Sequence, residues 1–222
     1  MKHFSVIIPA YNEESLIEKT LLSVKEQDYP NLEMIVVDND SNDSTSEIAK
    51  DYADLVLTYG MEHNVCAVRN FGAKNSNGEY IAFIDADSCL SSNAISNAAK
   101  YLDEQYAGGT CKLIPPEDKL IAKLQTGILN NWARFIAPQY TPFIYTTKEN
   151  FDEVGGWNEN LELGNELDFQ RNLSKLGKLK FDLESYITTS PRRYQEEGYM
   201  KTSFLGVLGY FGFKIKWRNI RK

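Results

Sequence analysis

Histidine and cysteine are scarce in this chain of 222 residues, which carries two of the first and three of the second. His3 and His63 lie far apart, and Cys66, Cys89 and Cys111 follow no metal-ligand spacing, so a zinc site is not expected. An odd cysteine count with no framework pattern suits a reducing compartment, with the thiols packed as small apolar groups. Long apolar runs are missing as well. No stretch reaches the roughly 18–20 apolar residues that span a bilayer. The short run after Met1 enters a fold-like pattern at once, so no signal peptide is expected. Positive charge is in deficit, with 24 Lys and Arg against 31 Asp and Glu, a net charge of −7. That balance argues against nucleic acid as a partner but leaves room for one nucleotide, whose charge a metal and a few local cations can meet. No linker rich in Pro, Gly or Ser and no internal repeat appears, which favours one domain.

What the chain does contain is an ordinary globular balance, 42% hydrophobic and 25% charged. Its first half alternates short β-rich runs with helical patterns. Strands are predicted at Phe4–Ile8, Glu33–Val37, Leu55–Thr58 and Tyr80–Ile84. Between them, Asn12 is expected to cap a helix with Glu13 and Glu14 in its first turn, and Val65 to Asn75 reads as another helix. The rhythm predicts an α/β fold, a mainly parallel central sheet flanked by helices. The second half is less regular. Glu117 to Ile136 is an amphipathic helix candidate with Leu120, Leu124, Ile128, Trp132 and Phe135 near one stripe. A turn-rich Gly155–Leu161 then precedes a helix from Asn165 to a stop at Gly177.

In open parallel sheets, ligands bind beyond the C-terminal ends of the strands. Three of these ends carry polar groups: Tyr11 and Asn12 after the first, Asp38 and Asp40 after the second, Asp85 and Asp87 after the fourth. The last pair sits in "YIAFIDADS", where an apolar strand delivers two carboxylates one residue apart.

The order and wording of these segments resembles the GT-A glycosyltransferases, in particular family 2. The resemblance is carried by "SVIIPAYNEES", "IVVDNDSNDST", "AVRNFGAKNSNGEYIAFIDADS", "FDEVGGWNENL" and "GNELDF", from Phe4 to about Arg193. It implies a single Rossmann-like GT-A domain over residues 1–200, with a nucleotide-binding half (1–100), an acceptor-side half (101–200) and a C-terminal appendage (201–222). It also implies an inverting transfer of sugar from a nucleoside-diphosphate sugar, UDP- or GDP-linked, to an acceptor hydroxyl. Asp87 would bind a divalent cation, Mn²⁺ or Mg²⁺, whose preference for oxygen suits carboxylate and phosphate. Asp85 would meet the ribose or reach the metal through water, with Ala86 between them. Pro9, Ala10, Tyr11 and Glu13 would line the nucleotide site, Asp38 would read the base edge, and Arg69 would contact base or diphosphate. Arg192 and Arg193 would close over the diphosphate. Trp157, Asn158 and Asp168 fall on the acceptor side. Glu166 is implied as the general base, with Asp168 its rival. Asn165 and Glu166 depart from the family's usual Glu-Asp pair.

Read without the resemblance, Asp38 also suits an Asx-turn, Arg69 a helix-surface cation, Trp157 core packing, and Arg192 and Arg193 a solvated turn. A nucleotidyltransferase would share the sheet and the carboxylates. It would also carry a glycine-rich, basic loop after the first strand, which "PAYNEES" is not. A non-catalytic sugar- or nucleotide-binding relative is a third reading, kept open by the departure at Asn165 and Glu166. The tail, Ser203 to Lys222, sets apolar and aromatic residues before Lys214, Lys216, Arg218, Arg221 and Lys222. This composition suits either weak contact with an anionic membrane or a packed C-terminal helix. The expected location is cytoplasmic, peripheral at the inner membrane face if the tail binds there, which would favour a lipid-linked acceptor.

Overall fold

Phe4–Ala10 is apolar almost throughout because both of its faces are covered. In the computed structural model, which describes residues 1–61, 63–135, 142–161 and 164–198, this run is the inner strand β1. The chain continues through α1 (Ile17–Lys25), β2 (Leu32–Asp38), α2 (Thr45–Lys50), β3 (Leu55–Thr58), α3 (Val65–Lys74), β4 (Tyr80–Ile84), β5 (Ser88–Leu90) and α4 (Ala94–Asp103). There follow β6 (Gly108–Leu113), α5 (Leu120–Phe135), β7 (Phe143–Thr147), α6 (Lys148–Glu153), α7 (Asn165–Leu176), β8 (Leu179–Thr189) and α8 (Arg192–Glu197). The expected tail, residues 201–222, lies outside the described residues, as does the side chain of Arg193.

The eight strands form one sheet in the order β3-β2-β1-β4-β7-β6-β8-β5. The β3-β2-β1-β4 portion is parallel, as the alternating rhythm predicts. β7 joins β4 antiparallel, β6 pairs antiparallel with β7 and parallel with β8, and β5 closes the edge antiparallel to β8. Side chains alternate between two cores. Val6, Ile8, Met34, Val36, Tyr80 and Ala82 pack on the face covered by α1 and α4, whereas Ile7, Ile35, Val37, Ile81 and Phe83 pack beneath α3 and α7. Helix α3 lies close to the sheet because Gly72 has no side chain. A Cβ there would stand 2.5 Å from Ile7 Cγ2 and 2.9 Å from Val37 Cγ2.

Two elements differ from the sequence expectation. Helix α1 begins at Ile17, not at Asn12. The polar residues expected in its first turn bind the neighbouring loop instead: Asn12, at φ 53°, accepts from the Asn42 N–H at 2.8 Å, and Glu14 accepts from the Ser44 N–H at 3.0 Å. Helix α5 exists, but Leu120, Leu124 and Ile128 are 74%, 59% and 65% exposed, so its aliphatic stripe faces outward. Small or polar residues bring this helix to the sheet. Ala122, Thr126 and Ala133 are buried, and the Asn130 amide pairs with both backbone groups of Leu113. Among the described residues, no helix is long and apolar enough to cross a membrane.

Candidate active site

Register sets the site. Ala10 of β1 lies level with Asp38 of β2, and β4 runs alongside β1, so the three strand ends open at one edge. Just past β4, Asp85 to Ser88 form a tight turn closed by the Ser88 N–H on the Asp85 carbonyl at 3.1 Å. The turn is fixed from two sides. Thr20 of α1 donates to the Ala86 carbonyl at 2.8 Å, and the Ser190 N–H to the Asp87 carbonyl at 3.0 Å. Ala86 therefore turns its methyl into the core, while both aspartates keep partial exposure.

Arg69 is neither a surface cation nor directed into open solvent. It is 4% exposed, one guanidinium nitrogen donating to Asp85 Oδ1 at 2.8 Å and another lying 3.4 Å from Glu166 Oε1. Its carbon stands 4.4 Å from the Trp157 ring centroid, and that ring stacks on Phe169 at 4.3 Å. Burial works against the charge on Arg69, but Asp85 and Glu166 more than offset it and raise its pKa. A single guanidinium thus separates the first aspartate of the turn from Glu166. Trp157 is buried, so it backs this arginine rather than presenting a ring face to an acceptor.

Asn70, next to Arg69, was not singled out from the sequence. Its carboxamide oxygen accepts from the Trp157 N–H at 2.8 Å, and its amide donates to the Trp157 carbonyl at 2.9 Å, fixing the Gly155–Leu161 loop against α3. Helix α3 is itself capped by Asn64, which accepts from the N–H groups of Cys66 and Ala67. Gly164 takes φ 71° at the start of α7 and turns the chain so that Glu166 falls in the first helical turn. Asn165 is buried, Asn158 is exposed in the loop, and Asp168 is partly exposed with the Asn172 amide 3.5 Å from Oδ2.

Asp87 accepts weakly from Ser88 and Thr189 hydroxyls at 3.2 and 3.3 Å. Burial, reinforced by the charges of Asp85 and Glu13, pushes its carboxyl up to about 6. Glu13 has one oxygen on Arg192 at 2.5 Å and the other buried without a partner. A hard divalent cation at Asp87 would offset the acidic charges that raise its pKa. Among the described residues, no three His, Cys, Asp or Glu side chains are grouped to hold a metal by themselves. A cation at Asp87 would need ligand oxygens as well, as Mg²⁺-type sites on phosphates do.

The raised pKa has a stability consequence. Without a cation, the folded chain holds the Asp87 proton more tightly than the unfolded chain, so this group's contribution falls as pH rises from about 4 to 6. Asp87→Asn should therefore stabilise the ligand-free protein at pH 7 by on the order of 2–3 kcal/mol, and raise its melting temperature with it. It should raise it little at pH 4, as differential scanning calorimetry would show.

At the β1–β2 edge, Asp38 is buried and accepts from the Ser41 hydroxyl at 2.5 Å. Pro9 and Ala10 end β1, and the exposed Tyr11 ring lies 4.4 Å from that of His63. His63 also stands 3.2 Å from the Asn39 amide. His63 was not picked out from the sequence for this edge, although it directly precedes the cap of α3, and Asn39 follows Asp38 directly. Arg192, on α8, reaches back to Glu13 across 179 residues of sequence. The cysteines play no visible part here, and burial pushes the Cys66 thiol up to about 12.

One sheet, parallel through β3-β2-β1-β4 and covered by helices on both faces, is the fold of a GT-A glycosyltransferase domain. The chain belongs to glycosyl transferase family 2, which it matches over residues 5–157, a span that ends before Glu166. It is 33% identical over 128 residues to the GalNAc(5)-diNAcBac-PP-undecaprenol beta-1,3-glucosyltransferase of Campylobacter jejuni, covering 54% of this chain and 41% of that protein. Over 114 residues it is 33% identical to the poly(ribitol-phosphate) beta-N-acetylglucosaminyltransferase TarS of Staphylococcus aureus, covering 48% of this chain and 20% of TarS. The chain thus aligns with less than half the length of each. Among solved structures, the mannosyltransferase PcManGT of Pyrobaculum calidifontis, in complex with GDP-Man and Mn²⁺, shares the fold. Its TM-score is 0.75 at 21% identity, covering 100% of this chain and 65% of PcManGT.

Proposed function

We propose that this chain transfers a sugar from a nucleoside-diphosphate sugar to an acceptor hydroxyl, with inversion at the anomeric carbon. The observation that carries the proposal is Arg69, which joins Asp85 of the turn to Glu166 of α7 through one buried guanidinium. Donor-side and acceptor-side carboxylates are thereby held on one rigid unit, as an in-line displacement requires. In this reading, Tyr11, Pro9, Ala10 and Asp38 receive the nucleoside, and Asp85 lies toward the ribose. Glu166 accepts the proton of the acceptor hydroxyl as that oxygen attacks the sugar from the side opposite the diphosphate. Arg69 fixes Glu166 in direction. Asp87 would hold a divalent cation, Mn²⁺ or Mg²⁺, with ligand oxygens completing its coordination; when bound, it offsets charge on the departing diphosphate. Arg192, released from Glu13, would supply a second cation there.

Two of the relatives are named for an undecaprenol-linked and a poly(ribitol-phosphate) acceptor, so a lipid- or polymer-linked acceptor fits this chain too. In that case the basic tail would contribute weak membrane contact. The test is to incubate the protein with UDP- and GDP-sugars, Mn²⁺ and undecaprenyl-linked or polyol-phosphate acceptors. Release of nucleoside diphosphate and the anomeric configuration of the product are then read by NMR. Acceptor-dependent release with an inverted product is expected. Retention of configuration would remove the role given to Glu166.

A further inference from the structure

Asn39 is 6% exposed, yet only one end of its carboxamide is used. The Nδ2 atom lies 3.2 Å from His63 Nδ1, whereas Oδ1 is buried without a hydrogen-bond partner. A buried acceptor left unpaired is costly and is explained when a ligand completes it. The surroundings point to what that ligand is. Asn39 follows Asp38 at the β2 end, its N–H donates to the Ala10 carbonyl at 2.8 Å, and the exposed Tyr11 ring adjoins His63. One oxygen of Asp38 already accepts from the Ser41 hydroxyl.

We propose that His63 determines base specificity: it fixes the Asn39 carboxamide with its oxygen toward the nucleobase, selecting uracil or guanine over cytosine or adenine. This assignment rests on the reading of the β1–β2 edge as the nucleotide site. A carboxamide alone can rotate and offer either its acceptor or its donor end. With the ring proton on Nε2, His63 Nδ1 is an acceptor, and it holds the NH₂ end. That contact uses one of the two amide hydrogens and stops the carboxamide from turning over, so its oxygen stays on the side away from His63 to meet a base. Uracil N3 and guanine N1 carry a hydrogen that such an oxygen accepts. Cytosine N3 and adenine N1 carry a lone pair, which it repels. His63 is thus a positioning residue acting through Asn39, and nothing in its role requires contact with the sugar or the reacting atoms.

The experiment is calorimetric titration of the full chain with UDP, CDP, GDP and ADP at fixed Mn²⁺. The wild-type protein should bind UDP over CDP, or GDP over ADP, by roughly tenfold or more, the loss expected when a buried acceptor faces a lone pair. His63→Ala should cut that ratio about fivefold or more by freeing the amide to turn. His63→Gln, whose side-chain oxygen can accept the same N–H, should largely keep it. Adding Asn39→Asp to His63→Ala should restore it, because a carboxylate has no donor end. An unchanged ratio in His63→Ala, or an equal weakening of all four nucleotides, would overturn the role of His63 alone. Failure of the wild-type chain to bind any of the four would overturn the donor reading and this assignment with it.

Discussion

Glu166→Gln should lower acceptor-dependent transfer by about 10²–10⁴-fold, the range for removal of a general base, while leaving nucleotide affinity within about twofold. The substitution keeps the shape of the side chain and an oxygen for Arg69, which lies 3.4 Å from the carboxylate now. It removes only the capacity to take a proton. The loss should therefore fall on kcat rather than on donor binding, as expected for an interaction that matters in the transition state. Stopped assays of nucleoside diphosphate release beside calorimetric titration separate the two. Near-normal turnover would pass the base role to another carboxylate, of which Asp168 is the nearest in sequence. Asp168→Asn should by contrast retain most activity, since that residue sits two positions further around the helix.

The second large effect is on folding. Arg69→Met should cost about 2–4 kcal/mol, because it leaves two carboxylates without their shared cation and takes the guanidinium from the Trp157 face. Full burial of the partners would place the loss at the upper end of the known range or beyond. Asp85 and Glu166 are instead 40% and 36% exposed, so water can recover part of their solvation. For a domain of this size, the melting temperature should fall by roughly 5–15 °C. Arg69→Lys should rescue little of it, since one ammonium cannot span two carboxylates in the way a planar fork does. A drop of less than a degree for Arg69→Met would mean that the buried bridge contributes nothing to stability.

The parallel half of the sheet was legible because β1, β2 and β4 are apolar on both faces, a pattern that buried parallel strands impose directly on sequence. The placement of Asp85 and Asp87 in a turn at the end of β4 was legible for the same reason. The roles of single side chains were harder to see. Arg69 looks like an ordinary helix cation until α7, about a hundred residues later, brings Glu166 against it. Trp157 is ambiguous until Phe169 is found beneath it. Asn12 carries the chemistry of a helix cap, but the loop after β2 competes for it and wins. The outward stripe of α5 misleads for a related reason: the periodicity is genuine, but small residues and Asn130 decide which face meets the sheet. His63 gave no local signal, since its partners Tyr11 and Asn39 are distant in sequence.

The most direct test of the donor site is calorimetric titration of the wild-type protein and Asp87→Asn with UDP and GDP, each with and without Mn²⁺. One of the two nucleotides should bind wild type at least tenfold more tightly when Mn²⁺ is present, and Asp87→Asn should lose that enhancement while remaining folded. Binding indifferent to Mn²⁺, or an enhancement undiminished in Asp87→Asn, would contradict the assignment of Asp87 and the metal-dependent transfer built on it.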